Sequence, residues 1–196
     1  MNVDKRLILA SRSPRRLTLL KQIGLEVEVV PCNVEEEFDQ RKSPAENAVE
    51  IALRKARDVA GRADNAIIIG ADTIVAIDGQ MLGKPLDEAD AIRMLSTLSG
   101  RTHTVYTGFA LVDRPSNRHL AEVEATSVTF RSLPVDEIRE YAEGGSPMDK
   151  AGAYGIQDDY GAVFVKRIEG CYYNVVGLPL SRFYESMKSF QEQLTK

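Results

Sequence analysis

The chain has 196 residues and a net charge of −4, with 43% hydrophobic and 28% charged residues. This is the make-up of a globular protein with one sizeable domain, or two lobes on a shared core. The acidic balance excludes the broad basic face of a bulk nucleic-acid binder, so no direct nucleic-acid binding is expected, while a local basic pocket for a small phosphorylated ligand stays open. No apolar run approaches the roughly 20 residues of a membrane span, so no membrane association is expected.

The first element is RLILAS, a short buried strand, followed by a helix with Ser13 as N-cap, Pro14 at its first position and Gly24 as its stop. EVEVVP alternates as a strand and runs into the acidic loop NVEEEFDQ. Ser43-Pro44-Ala45-Glu46 is a capping box that opens a helix through about Ala60. AIIIG is a continuous apolar strand, followed by TIVAI and a turn at Asp78-Gly79. Asp87 caps a helix whose Ile92, Leu95 and Leu98 share a face. HTVYTGFALV and AEVEATSVTF read as a long antiparallel hairpin. Pro134 opens a short helix to about Glu143, GGSPMDKAGAYGIQ is a glycine-rich connection, GAVFVKRIEG is a further strand, and an amphipathic helix starts at Leu180. Crossover helices together with hairpin strands predict an α/β protein with a mixed, strongly twisted sheet flanked by helices. The whole chain, 1–196, is expected to form a single domain of two lobes sharing one active-site cleft.

Cys32 and Cys171 are too few for a disulfide framework or a four-thiolate zinc site. Read without a signal peptide, the chain is expected to be cytoplasmic with two reduced thiols. His103 and His119 lack a metal-ligand spacing, so a metal would be held by oxygen, as a hard cation such as Mg2+ or Mn2+ is.

Six stretches carry chemistry. Ser11, Ser13, Arg15 and Arg16 lie where a strand feeds a helix N-terminus. Free backbone N–H groups, two hydroxyls and bidentate guanidinium groups suit phosphate there, although a capped helix with its arginines in solvent has the same pattern. Asp72 follows the apolar run AIIIG, and a carboxylate at the end of a buried strand needs an ion, a hydrogen bond or a metal to offset desolvation. An Asx turn opening a hairpin is the structural alternative. Of Glu35, Glu36 and Glu37, alternation allows Glu36 to turn inward toward Asp72, though such a run is usually a solvated loop. Lys84 precedes Pro85, which favours an extended backbone and suits a fixed phosphate contact, although an exposed loop lysine is the commoner case. Lys55 lies mid-helix on a partly apolar face, either snorkelling or reaching an anion as a buried ammonium. In DKAGAYGIQ the glycines permit close approach, and the Gln157 amide can pair with the N3–H and O4 edge of uracil or thymine, or with cytosine once flipped, although a plain glycine-rich loop has the same pattern.

LASRSPRR, GADTIV, LGKP, LSGRTHTVYTG, DKAGAYGIQ and NVVGLPL occur in this order over nearly the whole chain. Together they resemble the Maf family of nucleoside triphosphate pyrophosphatases. The resemblance implies a fold similar to inosine triphosphatases (Maf/Ham1) and hydrolysis of a nucleoside triphosphate to monophosphate and pyrophosphate with a divalent cation, Mg2+ or Mn2+. Asp72 matches the family's catalytic aspartate, a proton acceptor, and Glu36 its companion metal carboxylate. Ser11, Ser13, Arg16, Lys55 and Lys84 match the stretches that hold the substrate phosphates. Arg15, Thr73 and Gln157 match the residues characteristic of the dTTP/UTP-hydrolysing branch, whereas the 7-methyl-GTP branch carries a bulky aromatic in place of Arg15. Ser146 stands where the family usually has Glu. The family link also extends to nucleotide house-cleaning and division arrest, and a homodimer is common in such folds. The competing readings are a pyrophosphatase for a purine or 7-methylguanosine triphosphate, and a non-catalytic nucleotide-binding regulator of septation.

Overall fold

The computed structural model describes residues 5–157 and 160–195, with the side chain of Ser146 outside that description. Seven strands form one mixed sheet in the order β2-β1-β3-β5-β6-β7, with β4 paired to β3. The strands are β1 (Arg6–Ala10), β2 (Glu28–Val29), β3 (Ala66–Ile77), β4 (Gln80–Leu82), β5 (Thr102–Asp113), β6 (His119–Phe130) and β7 (Val165–Glu169). The helices are α1 (Pro14–Gln22), α2 (Pro44–Ala60), α3 (Glu88–Leu98), α4 (Val135–Glu143), α5 (Tyr172–Val176) and α6 (Leu180–Leu194). β1 runs parallel to both β2 and β3, while β3–β4 and β6–β7 are antiparallel. The predicted mixed α/β class and helix-flanked sheet are therefore observed. No helix among the described residues is long and apolar enough to cross a membrane.

Local chemistry sets most helix ends. Pro14 stands in the first turn of α1, and beyond that helix Gly24 takes φ +75°. The Ser43–Glu46 box closes in both directions at the start of α2. Asp87 accepts a hydrogen bond from the Asp90 N–H at 2.8 Å to start α3.

Three expectations need correction. EVEVVP gives only the two-residue β2, because it is a sheet edge with β1 as its one neighbour and Pro31 follows without an N–H to extend the ladder. Residues 161–164, the start of the predicted strand GAVFVKRIEG, belong instead to a 3-10 turn, Tyr160–Phe164, before β7 begins at Val165. There Phe164 is drawn into the core against the edge of Tyr141 and tilted against Phe130. Most relevant to function, Asp72 is not at a strand end: AIIIG and TIVAI are one strand, β3, and Asp72 lies inside it. What ends near Asp72 is the parallel pairing, since the last β1–β3 pair is Ala10 with Gly70. The short β4 and α5 have too few residues for a periodic signal and were not anticipated.

The chain divides into two compact units, one of residues 1–72, 107–124 and 177–196 and the other of 73–106 and 125–176. In the first, α2 lays Ala52, Ala56, Val59 and Ala60 against Ile8, Ala10, Ile68, Ala110 and Val112. The small residues let backbones touch. A Cβ on Gly70 would sit 2.1 Å from the Ala52 carbonyl oxygen, and one on Gly108 2.4 Å from the Ala48 carbonyl. In the second unit, α3 and α4 contribute Met94, Leu95, Leu98, Ile138 and Tyr141 to a core with Val75, Val105, Phe130 and Phe164. His103 is enclosed there, edge-on to Phe130 and Tyr154, with its Nε2 2.8 Å from the Tyr154 hydroxyl. Burial holds the His103 pKa down at about 4 and pushes that of Tyr154 up.

Candidate active site

The first unit gathers Ser11, Arg16, Glu36, Lys55 and Asp72. Side chains alternate along a strand, so Gly70 and Asp72 share a face of β3. The would-be Cβ of Gly70 points at Ala52 and Ala56 of α2, so that face is the one α2 covers. Lys55 precedes Ala56, and the close helix–strand approach lets its side chain reach Asp72. Its Nζ donates to Asp72 Oδ1 at 2.6 Å and to Glu36 Oε1 at 2.6 Å. Lys55 and Asp72 are buried, whereas about a third of the Glu36 side chain stays open to solvent. Of the two sequence readings of Lys55, the buried ammonium reaching an anion is observed, and the anions are the protein's own carboxylates.

Arg16 leaves α1 toward the same place. Its Nε donates to the Gly177 carbonyl at 2.9 Å and its Nη1 to Ser11 Oγ at 3.2 Å. The guanidinium is buried rather than solvated, and burial lowers its pKa against the opposing pull of Asp72 and Glu36. Ser11 Oγ also accepts from the Ser13 N–H at 3.1 Å, while the Ser13 hydroxyl makes no capping bond to α1. Arg12 is exposed. Burial raises the Asp72 pKa most strongly, Lys55 and Arg16 pull it back, and Glu36 adds to the rise. The outcome is a carboxyl above its ordinary range.

Arg15 is half-buried on α1 in the same unit. Thr73, Lys84 and Gln157 belong to the second unit: Thr73 is half-buried on β3, Lys84 exposed after β4, and Gln157 half-buried after a glycine-rich segment. In that segment Gly152, at φ +69°, sits against Val75 with no room for a Cβ. Both cysteines are free thiols.

Sequence reasoning missed two participants. The Gly177 carbonyl orients Arg16, and no side-chain pattern reports a backbone acceptor. Asn47 is a buried amide on the face of α2 that carries Ala48 and Ile51, and a polar residue among buried apolar positions was the available signal.

A buried lysine bridges two carboxylates beside a buried arginine and serine at a strand–helix junction. The chain belongs to the Maf family, whose description is Maf-like protein and which matches residues 6–190. A Carboxydothermus hydrogenoformans protein named dTTP/UTP pyrophosphatase is 48% identical over 185 residues, 94% of this chain and 98% of that one. A Dictyoglomus turgidum protein of the same name is 50% identical over 95% of this chain and 96% of its own. One from Caldicellulosiruptor bescii is 45% identical over 98% of each. Among solved structures, the Staphylococcus aureus Ham1 protein aligns at a TM-score of 0.43 and 16% identity over 64% of this chain and 72% of that one. The fold rests on the strand order above, not on that likeness.

Proposed function

We propose that this chain is a dTTP/UTP pyrophosphatase that converts the nucleoside triphosphate and water into the monophosphate and pyrophosphate, with Mg2+ or Mn2+ as cofactor. The observation that carries the reading is the convergence of Glu36 and Asp72 on a single cation, the Lys55 ammonium, beside Arg16 and Ser11. Two oxygen donors already gathered around one positive charge fit a hard divalent cation. Among the described residues no group of three or more His, Cys, Asp and Glu is assembled. Two carboxylates with the remaining positions left to water and substrate phosphates is the habit of Mg2+ rather than of a closed protein cage.

Glu36 and Asp72 would hold that ion, which supplies Lewis-acid charge at the phosphate oxygens when bound. Asp72 would accept the proton of the attacking water as its oxygen bonds to the α-phosphorus and the bond from that phosphorus to the α–β bridging oxygen breaks. Arg16, Lys55 and Lys84 take up charge on the departing pyrophosphate. The four ionic groups Arg16, Lys55, Glu36 and Asp72 cancel, so a triphosphate needs further positive charge, consistent with a metal requirement. Arg15, Thr73 and Gln157 carry base preference. The Gln157 amide accepts from N3–H and donates to O4 of a uracil or thymine ring.

The test is a panel of triphosphates with Mg2+ or Mn2+, with pyrophosphate and orthophosphate detected separately. Pyrophosphate release with dTTP and UTP preferred is the expected result. Orthophosphate alone would mean γ-phosphate cleavage and overturn the reading, and a preference for purine nucleotides would overturn the branch.

A further inference from the structure

We propose that Asn47 is the positioning residue for Glu36: it locks the acidic loop to α2 in the one register that brings the Glu36 carboxylate to Lys55 and Asp72. The proposal rests on the reading of Glu36 as a metal ligand.

Residues 31–39 have no helix or strand of their own, so their polar backbone must find partners elsewhere. They find them along α2, running in the opposite direction. The Asn33 N–H donates to Asp58 Oδ2 at 3.2 Å, Arg54 Nη2 donates to the Glu35 carbonyl at 3.4 Å, and Glu36 meets Lys55. The last tie is Asn47. Its Oδ1 accepts from the Asp39 N–H at 2.8 Å, and its Nδ2 faces the carbonyls of Asp39 at 3.0 Å, Lys42 at 3.2 Å and Ser43 at 3.0 Å. Asn33 and Arg54 are exposed and compete with water, whereas Asn47 is 3% exposed. A buried amide with both ends satisfied fixes geometry, because any slip strands its donors and acceptor in a dry place.

The lock matters through distance. Lys55 lies eight residues beyond Asn47, about 12 Å along the helix axis. Glu36 and Asp39 are three residues apart and span at most roughly 10 Å of backbone. With Asp39 held at Asn47, Glu36 is set within side-chain reach of Lys55. A slip of one residue at Asp39 would move Glu36 about 3.5 Å along the chain, so that its 2.6 Å bond to Lys55 could be kept only by re-extending both side chains. Groups that orient ligands from behind typically change metal affinity by about 10- to 100-fold when removed.

The experiment measures Mn2+ binding to the nucleotide-free full chain, by electron paramagnetic resonance of free Mn2+, for wild type, Asn47→Ala, Asn47→Asp, Glu36→Gln and Asn47→Ala/Glu36→Gln. Asn47→Asp keeps an oxygen for the Asp39 N–H and gives a milder variant should Asn47→Ala not fold. The expected result is weakening by about tenfold or more in both Asn47 variants and in Glu36→Gln. Adding Asn47→Ala to Glu36→Gln should then change affinity by less than about threefold, because both remove the same ligand. Turnover of the Asn47 variants should recover as Mn2+ is raised, while that of Glu36→Gln stays low. If Glu36→Gln weakens Mn2+ binding but the Asn47 variants lower only thermal stability, the positioning role is overturned and the metal reading stands. If Glu36→Gln itself binds Mn2+ as wild type does, the metal reading fails and the proposal falls with it.

Discussion

Replacing Lys55 with Met tests whether the ammonium holds two carboxylates together against their mutual repulsion. The Glu36 and Asp72 oxygens each lie 2.6 Å from Nζ and so are at most about 5.2 Å apart. Two like charges at that separation repel by about 3 kcal/mol at an effective dielectric constant near 20. Glu36 is about one-third exposed, and solvent screening reduces this to about 2 kcal/mol. In Lys55→Met the Asp72 pKa rises further, since its largest lowering influence is gone. A carboxyl with a raised folded-state pKa contributes its stability below the ordinary carboxylate range and loses it as pH rises through the raised value. The assay is urea unfolding of nucleotide-free wild type and Lys55→Met in EDTA at pH 5 and pH 8. The stability gap should widen by about 2 kcal/mol toward pH 8. Mn2+ at about 100 times its Kd would stabilise either protein by about 2.7 kcal/mol, so the comparison is made in EDTA, where no metal masks the repulsion. Loss of aliphatic packing is the same at both pH values and cancels. A gap independent of pH would refute the idea that Lys55 neutralises a pair of ionised carboxylates.

On the proposed mechanism Asp72→Asn keeps the shape but removes the proton acceptor, and turnover of dTTP should fall by about 10²- to 10⁴-fold at saturating metal, measured as pyrophosphate release. Gln157→Ala should narrow the kcat/KM ratio of UTP over CTP more than it lowers hydrolysis of a poor substrate; equal losses on every nucleotide would contradict a role in base recognition. His103 is kept neutral in the fold with a pKa of about 4 but takes up a proton below its ordinary 6.5 when unfolded. Stability is therefore lost as pH falls from 6.5 toward 4, by about 3 kcal/mol in total, and His103→Gln should flatten that part of the urea-unfolding profile. Gly70→Ala would drive a Cβ to 2.1 Å from the Ala52 carbonyl and 2.9 Å from the Ala56 nitrogen, both backbone atoms that cannot rotate away. Calorimetry and urea unfolding should show a loss of about 3 kcal/mol or more.

What could be read from the chain is what neighbouring residues decide among themselves. The Ser43–Glu46 box, the Asp87 cap and the Gly24 stop are settled within one turn of backbone, and each stands where the sequence places it. The mixed sheet followed from the alternation of crossover helices with a hairpin. Asp72 was harder. In the sequence, Asp72 divides AIIIG from TIVAI, because isolated aspartates are poor strand residues. The break vanishes once Lys55, 17 positions earlier, supplies the countercharge. Arg16 illustrates the same limit, since its partner is the Gly177 carbonyl, 161 residues away in sequence. Glu36 could be selected from Glu35, Glu36 and Glu37 only by family resemblance. In the fold, the selection is made by the pairing of the loop with α2.

The ionic cluster is costly for the fold, and that cost argues for its purpose. Burying Lys55 and Asp72 sacrifices hydration that their mutual attraction only partly restores, and apolar residues of similar volume often serve stability as well or better. The surrounding structure is nonetheless arranged to permit the burial. Gly70 and the Ala52 and Ala56 side chains bring α2 close enough to β3 for an ammonium to reach across. An alanine at position 70 would have been the cheaper choice for an isolated strand, as glycine there sacrifices chain entropy and side-chain packing. Helix–strand proximity, the raised Asp72 pKa and the partial exposure of Glu36 meet at one point, which is left open to solvent on the Glu36 side. A purely structural ion pair would be better closed on every side; an opening beside Glu36 is what the proposed exchange of a cation and entry of a polyanion would need.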